Sequence, residues 1–202
     1  MKIRGAVTAI VILFSAVIAA PSHAASPVIG IAYDIGGRGD RSFNDAAAAG
    51  LEKASKQFSF TVQPVVTDGT TTDRNQRVRS LIAKNCNPII LVGAGYAPLI
   101  QALAVEFPNT QFAILNDASI DALNVTSLIF ADTQGAYLAG FSAALASKTG
   151  KVAMIANPNQ ADIYQNGFLA GVLASKRAVT SSVKYVNGSS VTAAKQAMDV
   201  GS

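Results

Sequence analysis

The stretch from Val28 to Phe58, VIGIAYDIGGRGDRSFNDAAAAGLEKASKQF, decides the fold. An apolar run around Val28, Ile29 and Ile31 breaks into a loop with three glycines, and helical periodicity restarts after Ser42, so the stretch reads as strand, tight loop, helix. In open α/β sheets ligands sit outside the carboxyl ends of the strands, which puts Asp34, Ser42, Phe43 and Asn44 at such a rim. Ser42 is placed as the helix N-cap, and Asp45 suits the first turn by hydrogen bonding and by its charge at the positive end of the helix dipole. Phe43 has two readings: a staple packed against the first turns of its helix, or a platform that faces the cleft and receives a flat ligand.

Beyond it, Phe60 to Val66 alternates and reads as a second strand, which Pro64 assigns to a sheet edge or a strand end. The turn Thr67-Asp68-Gly69-Thr70 closes it. Val78, Leu81 and Ile82 then mark a helix from Thr72 to Asn85, capped by Thr71 or Thr72. Ile89 to Val92 is a short continuous apolar run, as in a strand covered on both faces, and Gly93-Ala94-Gly95 ends it. A helix from Tyr96 to Phe107 and strands at Gln111 to Leu115 and Val125 to Phe130 follow. The alternation with short connections specifies a parallel sheet wrapped by helices, with Asp34, Gly93 and Asp117 at strand ends on one rim. Thr133 to Lys148 is rich in small residues, with an apolar stripe of Tyr137, Leu138, Phe141 and Leu145. Gly135 and Gly140 mark it as a packed helix between two lobes. Lys151 to Ala156, the Asn157-Pro158-Asn159 loop, a helix from Ala161 to Ser175, a strand from Val183 to Val186 and a helix from near Ser190 begin the pattern again. Two strands are few for a sheet of their own, so an unfinished second lobe is expected, with apolar surface exposed around Val152 to Ala156 and Val183 to Val186.

The first 24 residues carry Lys2 and Arg4, an apolar core from Ala6 to Ala20, and Ser22-His23-Ala24 as a small-x-small cleavage signal, which reads as a secretory signal peptide. The apolar core is short for a membrane span, and no Cys stands after the cleavage point to take a lipid. The formal charge of +4 includes Lys2 and Arg4, so the remainder is close to balanced and suits no polyanionic partner. Arg74, Arg77 and Arg79 are the densest basic group and read as a solvated helix face, which argues against nucleic acid. The single cysteine, Cys86, allows no internal disulfide and reads as a half-buried small hydrophobe. His23, the one histidine, leaves with the signal, so His-based triads, His-rich metal sites and Cys–His nucleophiles are excluded. Asp34, Asp40 and Asp45 lack EF-hand spacing and read as a helix cap with solvated charges, with no metal. Arg38 and Arg41 in the same loop make a nucleotide a minor alternative ligand. Asp34 and Asp117 as an acid/base pair on a glycosidic bond would be an enzyme reading, but no other catalytic group accompanies them.

The ordered motifs Asp34-x-Gly36-Gly37, Asp40-x-Ser42-Phe43-Asn44, Gly50-Leu51, Pro88-x-Ile90, Gly93-x-Gly95 and Phe107-Pro108 are followed by Phe112, Asp117, Tyr137-x-x-Gly140, Thr149-Gly150-Lys151 and Tyr164-x-x-Gly167-Phe168-x-x-Gly171. Together, across Ile29 to Gly201, the chain resembles the basic membrane protein family of solute-binding proteins, whose best-known members bind purine nucleosides for ABC importers. The resemblance implies a type I periplasmic-binding-protein-like α/β fold, two Rossmann-like lobes with parallel sheets that close on a ligand. The chain would then comprise a signal peptide (1–24), an N-terminal lobe (25–131) and the start of a second lobe (132–202). It implies an exported, monomeric receptor, periplasmic or extracellular, that meets an ABC permease at the plasma membrane and needs no cofactor. The base of a purine nucleoside would lie between Phe43 and Tyr164, its edge read by Asp34, Asn44 and Asp117 beside the Gly93 loop. Members are commonly lipoproteins with a Cys at the mature N-terminus, where this chain has Ala24-Ala25-Ser26. Family members extend well past the point matching Ser202, with a carboxylate and a lysine that hold the ribose, so a C-terminal truncation is expected. The alternative is a sensor or accessory protein for another small polar solute, a sugar or a nucleotide, without a transport role.

Overall fold

The computed structural model describes residues 26–156, 161–185, 194–195 and 197–198. The expected signal peptide, the Asn157-Pro158-Asn159 loop and the helix start at Ser190 lie outside the described residues.

The elements alternate as the periodicity requires: β1 (Val28–Tyr33), α1 (Phe43–Gln57), β2 (Thr61–Val66), α2 (Thr71–Ala83), β3 (Ile89–Val92), a 3-10 turn (Ala94–Tyr96), α3 (Ala97–Glu106), β4 (Phe112–Leu115), β5 (Val125–Leu128), α4 (Asp132–Ala146), β6 (Lys151–Ala156), α5 (Ala161–Ala174) and β7 (Thr180–Tyr185). The first sheet has the order β2-β1-β3-β4-β5. β1 pairs in parallel with β2 and β3, with Ile31 opposite both Pro64 and Ile90. Pro64 therefore sits on the edge strand, where a missing N–H leaves no ladder bond unmade. By hydrogen-bonded sheet the chain divides between Leu128 and Lys151. By compactness the division runs inside β4 and β5, giving a first unit up to Ala113 with 122–125 and a second of 114–121 and 126 onward.

In the first unit, α1 lays Ala48 and Leu51 on Ile31, Tyr33 and Val92. α2 comes so close to β1 that a Cβ on Gly30 would stand 3.0 Å from Cys86 Cβ and 3.1 Å from Leu81 Cδ1. Cys86 is more deeply placed than expected, only 2% exposed, and burial pushes its thiol pKa up. The cap of α2 is Thr70, one residue before the expected Thr71 or Thr72: its Oγ1 accepts the Asp73 N–H at 3.2 Å.

The second unit pairs β6 and β7 in parallel, Lys151 opposite Thr180 through Ala156 opposite Tyr185. Its core joins Ala144, Val152, Phe168 and Val172. Two expectations are corrected here. Val152 and Ala156 are buried, whereas Tyr185 in β7 is exposed as expected, and further large exposed apolar side chains lie on the helices, at Leu138, Leu145 and Leu173. The stripe of Tyr137, Leu138, Phe141 and Leu145 is not the packed face of α4, which buries Gly140 and Ala144. The reason is backbone approach: a Cβ on Gly140 would fall inside the van der Waals shell of the Phe168 carbonyl oxygen, and one on Gly171 inside that of Tyr137. α4 and α5 thus meet through their glycines.

Candidate functional site

The loop after β1 holds Gly36, Gly37 and Gly39 at positive φ, and at Gly37 a Cβ would also strike Val66 Cγ2 at 2.9 Å. Asp40 organises the entry to α1. Its Oδ2 accepts the Asn44 N–H at 2.9 Å, and its Oδ1 accepts those of Ser42 at 2.8 Å and Asp45 at 3.1 Å. Ser42 occupies the N-cap position as expected, but its side chain makes no cap bond, and the carboxylate two residues earlier takes that role. Desolvation acts to raise the Asp40 pKa, but the three N–H bonds outweigh it and hold the carboxyl below its ordinary value. Asp45 faces back into the loop, accepting the N–H groups of Gly39 and Arg41 at 2.8 Å each. Arg38 is paired with Glu52 at 2.8 Å on the surface.

Asn44 is 2% exposed. Its Oδ1 accepts the Asp34 N–H at 2.9 Å, and its Nδ2 donates to the carbonyls of Asp34 and Ile35 at 3.4 and 3.5 Å, so the amide is occupied in bracing the loop. Phe43, beside it, is partly buried and packs against the Ile31, Tyr33 and Leu51 core.

Asp34 has two unlike oxygens. Oδ1 accepts the Ile35 N–H at 2.9 Å and Arg74 Nη2 at 2.7 Å. Oδ2 has no partner among the described residues and lies over Gly93, where an added Cβ would come within 3.0 Å of it. The expected solvated Arg74 is corrected: its side chain is 7% exposed, against 38% for Asp34. Its guanidinium stacks 4.7 Å above the Tyr96 ring, Nε donates to Gly69 O at 3.4 Å, and Nη1 is buried without a hydrogen-bond acceptor among the described residues. An orphaned buried donor costs on the order of 1–3 kcal/mol, and the aromatic face beneath the cation offsets part of it. Gly95 is needed because a Cβ there would stand 2.8 Å from Arg74 Cζ. Tyr96 is fully buried and donates to Tyr33 O at 2.8 Å, and burial pushes its phenol up to about 12 although Arg74 pulls the other way. Sequence reasoning missed Arg74, yet a signal existed: Arg74, Val78 and Leu81 stand at i, i+4, i+7 and are the buried residues of α2. Arg77 and Arg79 are the solvated pair, bound to Asp73 at 3.0 Å and Glu106 at 2.6 Å.

In the second unit Asp117 follows β4, after Asn116 at a φ of 64°. Asp117 Oδ1 accepts the Ser119 N–H at 2.8 Å and its hydroxyl at 2.6 Å, and Oδ2 again has no partner among the described residues. Tyr164, on α5, has its phenol close enough to Asp132 at the start of α4 and to Asn116 for both to act on its titration. Burial first and Asp132 second raise its pKa, with Asn116 opposing. An open cleft of about 440 Å³ is lined by Asn116, Asp117, Phe130, Asp132, Gln134 and Ile163. The fold thus gathers Asp34, Asn44 and Gly93 at the ends of β1 and β3, and places Asn116, the residue before Asp117, near the phenol of Tyr164. Asn116 and Asp132 were missed as well; the first stands beside Asp117 at a strand end and the second in a helix first turn, the two usual places for such groups.

Residues 28–199 match the model of a family described as ABC transporter substrate-binding protein PnrA-like. The chain belongs to this family. Among curated relatives, the ABC transporter nucleoside-binding protein BmpA of Lactococcus lactis is 32% identical over 206 residues, covering 94% of this chain and 58% of that protein. The CD4+ T-cell-stimulating antigen of Listeria innocua is 32% identical over 168 residues, 79% of this chain and 46% of its own length. The chain spans about half the length of the curated relatives it matches. An ABC transporter solute-binding protein from Aeropyrum pernix K1 superposes with a TM-score of 0.68 at 23% identity, over 79% of this chain and 47% of that one. The fold is therefore that of the type I periplasmic binding proteins, mixed α/β with parallel sheets, and the PnrA-like family is one of substrate-binding proteins, not of enzymes.

Proposed function

We propose that this protein is the exported substrate-binding component of an ABC importer, and that the whole receptor closes its two lobes on a purine nucleoside. The observation that carries the reading is the pair of half-occupied carboxylates: Asp34 and Asp117 each have Oδ1 held by their own surroundings and Oδ2 without a partner among the described residues. A purine base edge presents N–H donors that such oxygens accept, and in a closed cleft a ligand lacking them strands a carboxylate at a cost of about 1–3 kcal/mol each. Phe43 and Tyr164 supply the flat faces for the ring, the phenol of the second standing near Asp132 and Asn116. Asn44 contributes by fixing the Asp34 backbone and Gly93 by leaving room for Oδ2. The Lactococcus relative's name, a nucleoside-binding protein, supports the same ligand class.

Residues 1–24 would direct export, and the liganded monomer would deliver its solute to a membrane permease without cofactor or chemistry. No helix among the described residues is long and apolar enough to cross a membrane. Thermal unfolding of the full-length protein with inosine, guanosine, adenosine, sugars and amino acids tests the reading. A purine nucleoside at a hundredfold excess over its dissociation constant adds about 2.7 kcal/mol to stability. A sugar or an amino acid that moves the curve while all three nucleosides leave it in place rejects it.

A further inference from the structure

We propose that the first unit carries a second ligand site, a pocket between α1 and the sheet edge that takes a small one-ring carboxylate, its charged group on Tyr33 and Arg38. The proposal does not depend on the nucleoside reading. A cavity of about 270 Å³ opens there, for reasons that the sequence contains. Ala48, Leu51, Glu52 and Ser55 stand at i, i+3, i+4 and i+7 and form one face of α1. Below them lie Val62 and Pro64 of β2, opposite Ile29 and Ile31 of β1. Ala48 and Ser55 are too small to fill the space over an edge strand, which has no outer neighbour to close it.

Tyr33 makes this a site and not a packing gap. The residue is 4% exposed, yet its hydroxyl has no hydrogen-bond partner among the described residues, and Tyr96 engages only its backbone carbonyl. The charges of Arg38 and Glu52 act on the phenol, which puts its tip at the charged rim of the pocket. Burial first, with Glu52 and Asp45 adding and Arg38 opposing, raises the pKa, so at neutral pH the phenol keeps its proton and offers a donor. Arg38 supplies the charge. Its Nη2 meets Glu52 Oε1 at 2.8 Å, and the rest of the fork has no partner among the described residues. Glu52 could equally receive an ammonium, but the phenol proton breaks the tie, since only a ligand with an acceptor satisfies it. Leu51, Val62 and Pro64 make the walls apolar, and the volume, just below the range of about 300–1,000 Å³ usual for ligand pockets, suits a single ring. The site is separate from Asp34: Ile31 and Tyr33 face α1, whereas Gly30 faces α2, the helix whose Arg74 holds Asp34.

The experiment is calorimetric titration of the full-length protein with benzoate, and with benzyl alcohol as the neutral ring. Benzoate is expected to bind with a dissociation constant on the order of 1 mM, and benzyl alcohol about tenfold more weakly. Tyr33→Phe removes an oxygen that bonds nothing in the described protein and is expected to weaken benzoate about tenfold, as is Arg38→Gln. Glu52→Gln is expected to tighten it about threefold, by freeing Arg38 and removing a like charge. Excess inosine should leave benzoate binding unchanged. No benzoate binding well above the millimolar range overturns the inference, as does benzyl alcohol binding as tightly as benzoate. Benzoate displaced by inosine lies in the nucleoside cleft, which overturns it too. Arg38 and Glu52 are at the surface, so their opposite shifts decide the matter if Tyr33→Phe does not fold; shifts in one direction, or none, overturn the site.

Discussion

Two glycines five residues apart on α4 should respond to the same substitution with opposite sign. Ala in place of Gly in a helix interior gains about 0.5–1 kcal/mol by restricting the unfolded chain. At Gly135 nothing lies within 4 Å of the added Cβ, so Gly135→Ala should realise that gain. At Gly140 the added Cβ would meet the backbone carbonyl of Phe168, which no side-chain rotation relieves. α5 has to withdraw, loosening Phe168 and Val172 from Ala144 and Val152, and overpacking of this kind costs about 1–3 kcal/mol. Since both variants share the chain-entropy gain, the difference between them isolates the cost of separating the helices, about 1–3 kcal/mol in favour of Gly135→Ala. For a unit of this size each 1 kcal/mol is about 4–8 °C in Tm. Thermal and denaturant unfolding measure the gap, and amide exchange along α4 and α5 assigns it to the second unit. Equal stabilities for the two variants would refute the backbone contact between these helices.

Phe43→Ala should weaken nucleoside binding by about 1–3 kcal/mol, more than it lowers stability, since only part of the ring is packed on the core; unchanged affinity in a titration returns the residue to a purely structural role. Tyr164→Phe keeps the ring but removes the hydroxyl near Asn116 and Asp132, so affinity should fall by less than in Tyr164→Ala, and an equal loss in both would show that the hydroxyl, not the face, carries the contact. Asp40 makes a pH prediction: its folded pKa lies below the ordinary 3.8, so its contribution is full above 3.8 and is lost as pH falls through the lower folded value. Acid unfolding curves of Asp40→Asn should therefore be flatter below that pH than those of the wild type, and parallel curves would remove the cap from the account.

The strands and helices were legible because their apolar patterns are set by burial on one or both faces, and Pro64 placed its strand at the sheet edge by the missing donor alone. What the pattern did not carry was the partner of each polar group. Arg74, Arg77 and Arg79 look alike along the chain, and only the extension of the Val78 and Leu81 face by one turn separates the buried cation from the solvated ones. Ser42 and Asp40 are both good caps by residue type, and the path of a loop with three left-handed glycines chose the carboxylate. On α4 the large side chains have the spacing of a buried face. Helices that approach to backbone contact have no space for such side chains, so Gly140 and Ala144 lie inside and Leu138 and Leu145 outside. The site residues were visible at the strand ends, but their division of labour was not: Asn44, in the first turn of α1, braces the loop in which Asp34 presents its carboxylate.

The lone thiol of Cys86, sealed between α2 and the sheet against Gly30, gives this protein an internal clock for one of its two units. A thiol reagent reaches it only while α2 stands away from β1, so the labelling rate counts those excursions and the second unit, which has no cysteine, stays silent. Substitutions in α4 should leave the clock running at its wild-type pace, whereas any change that frees α2 from the sheet should quicken it.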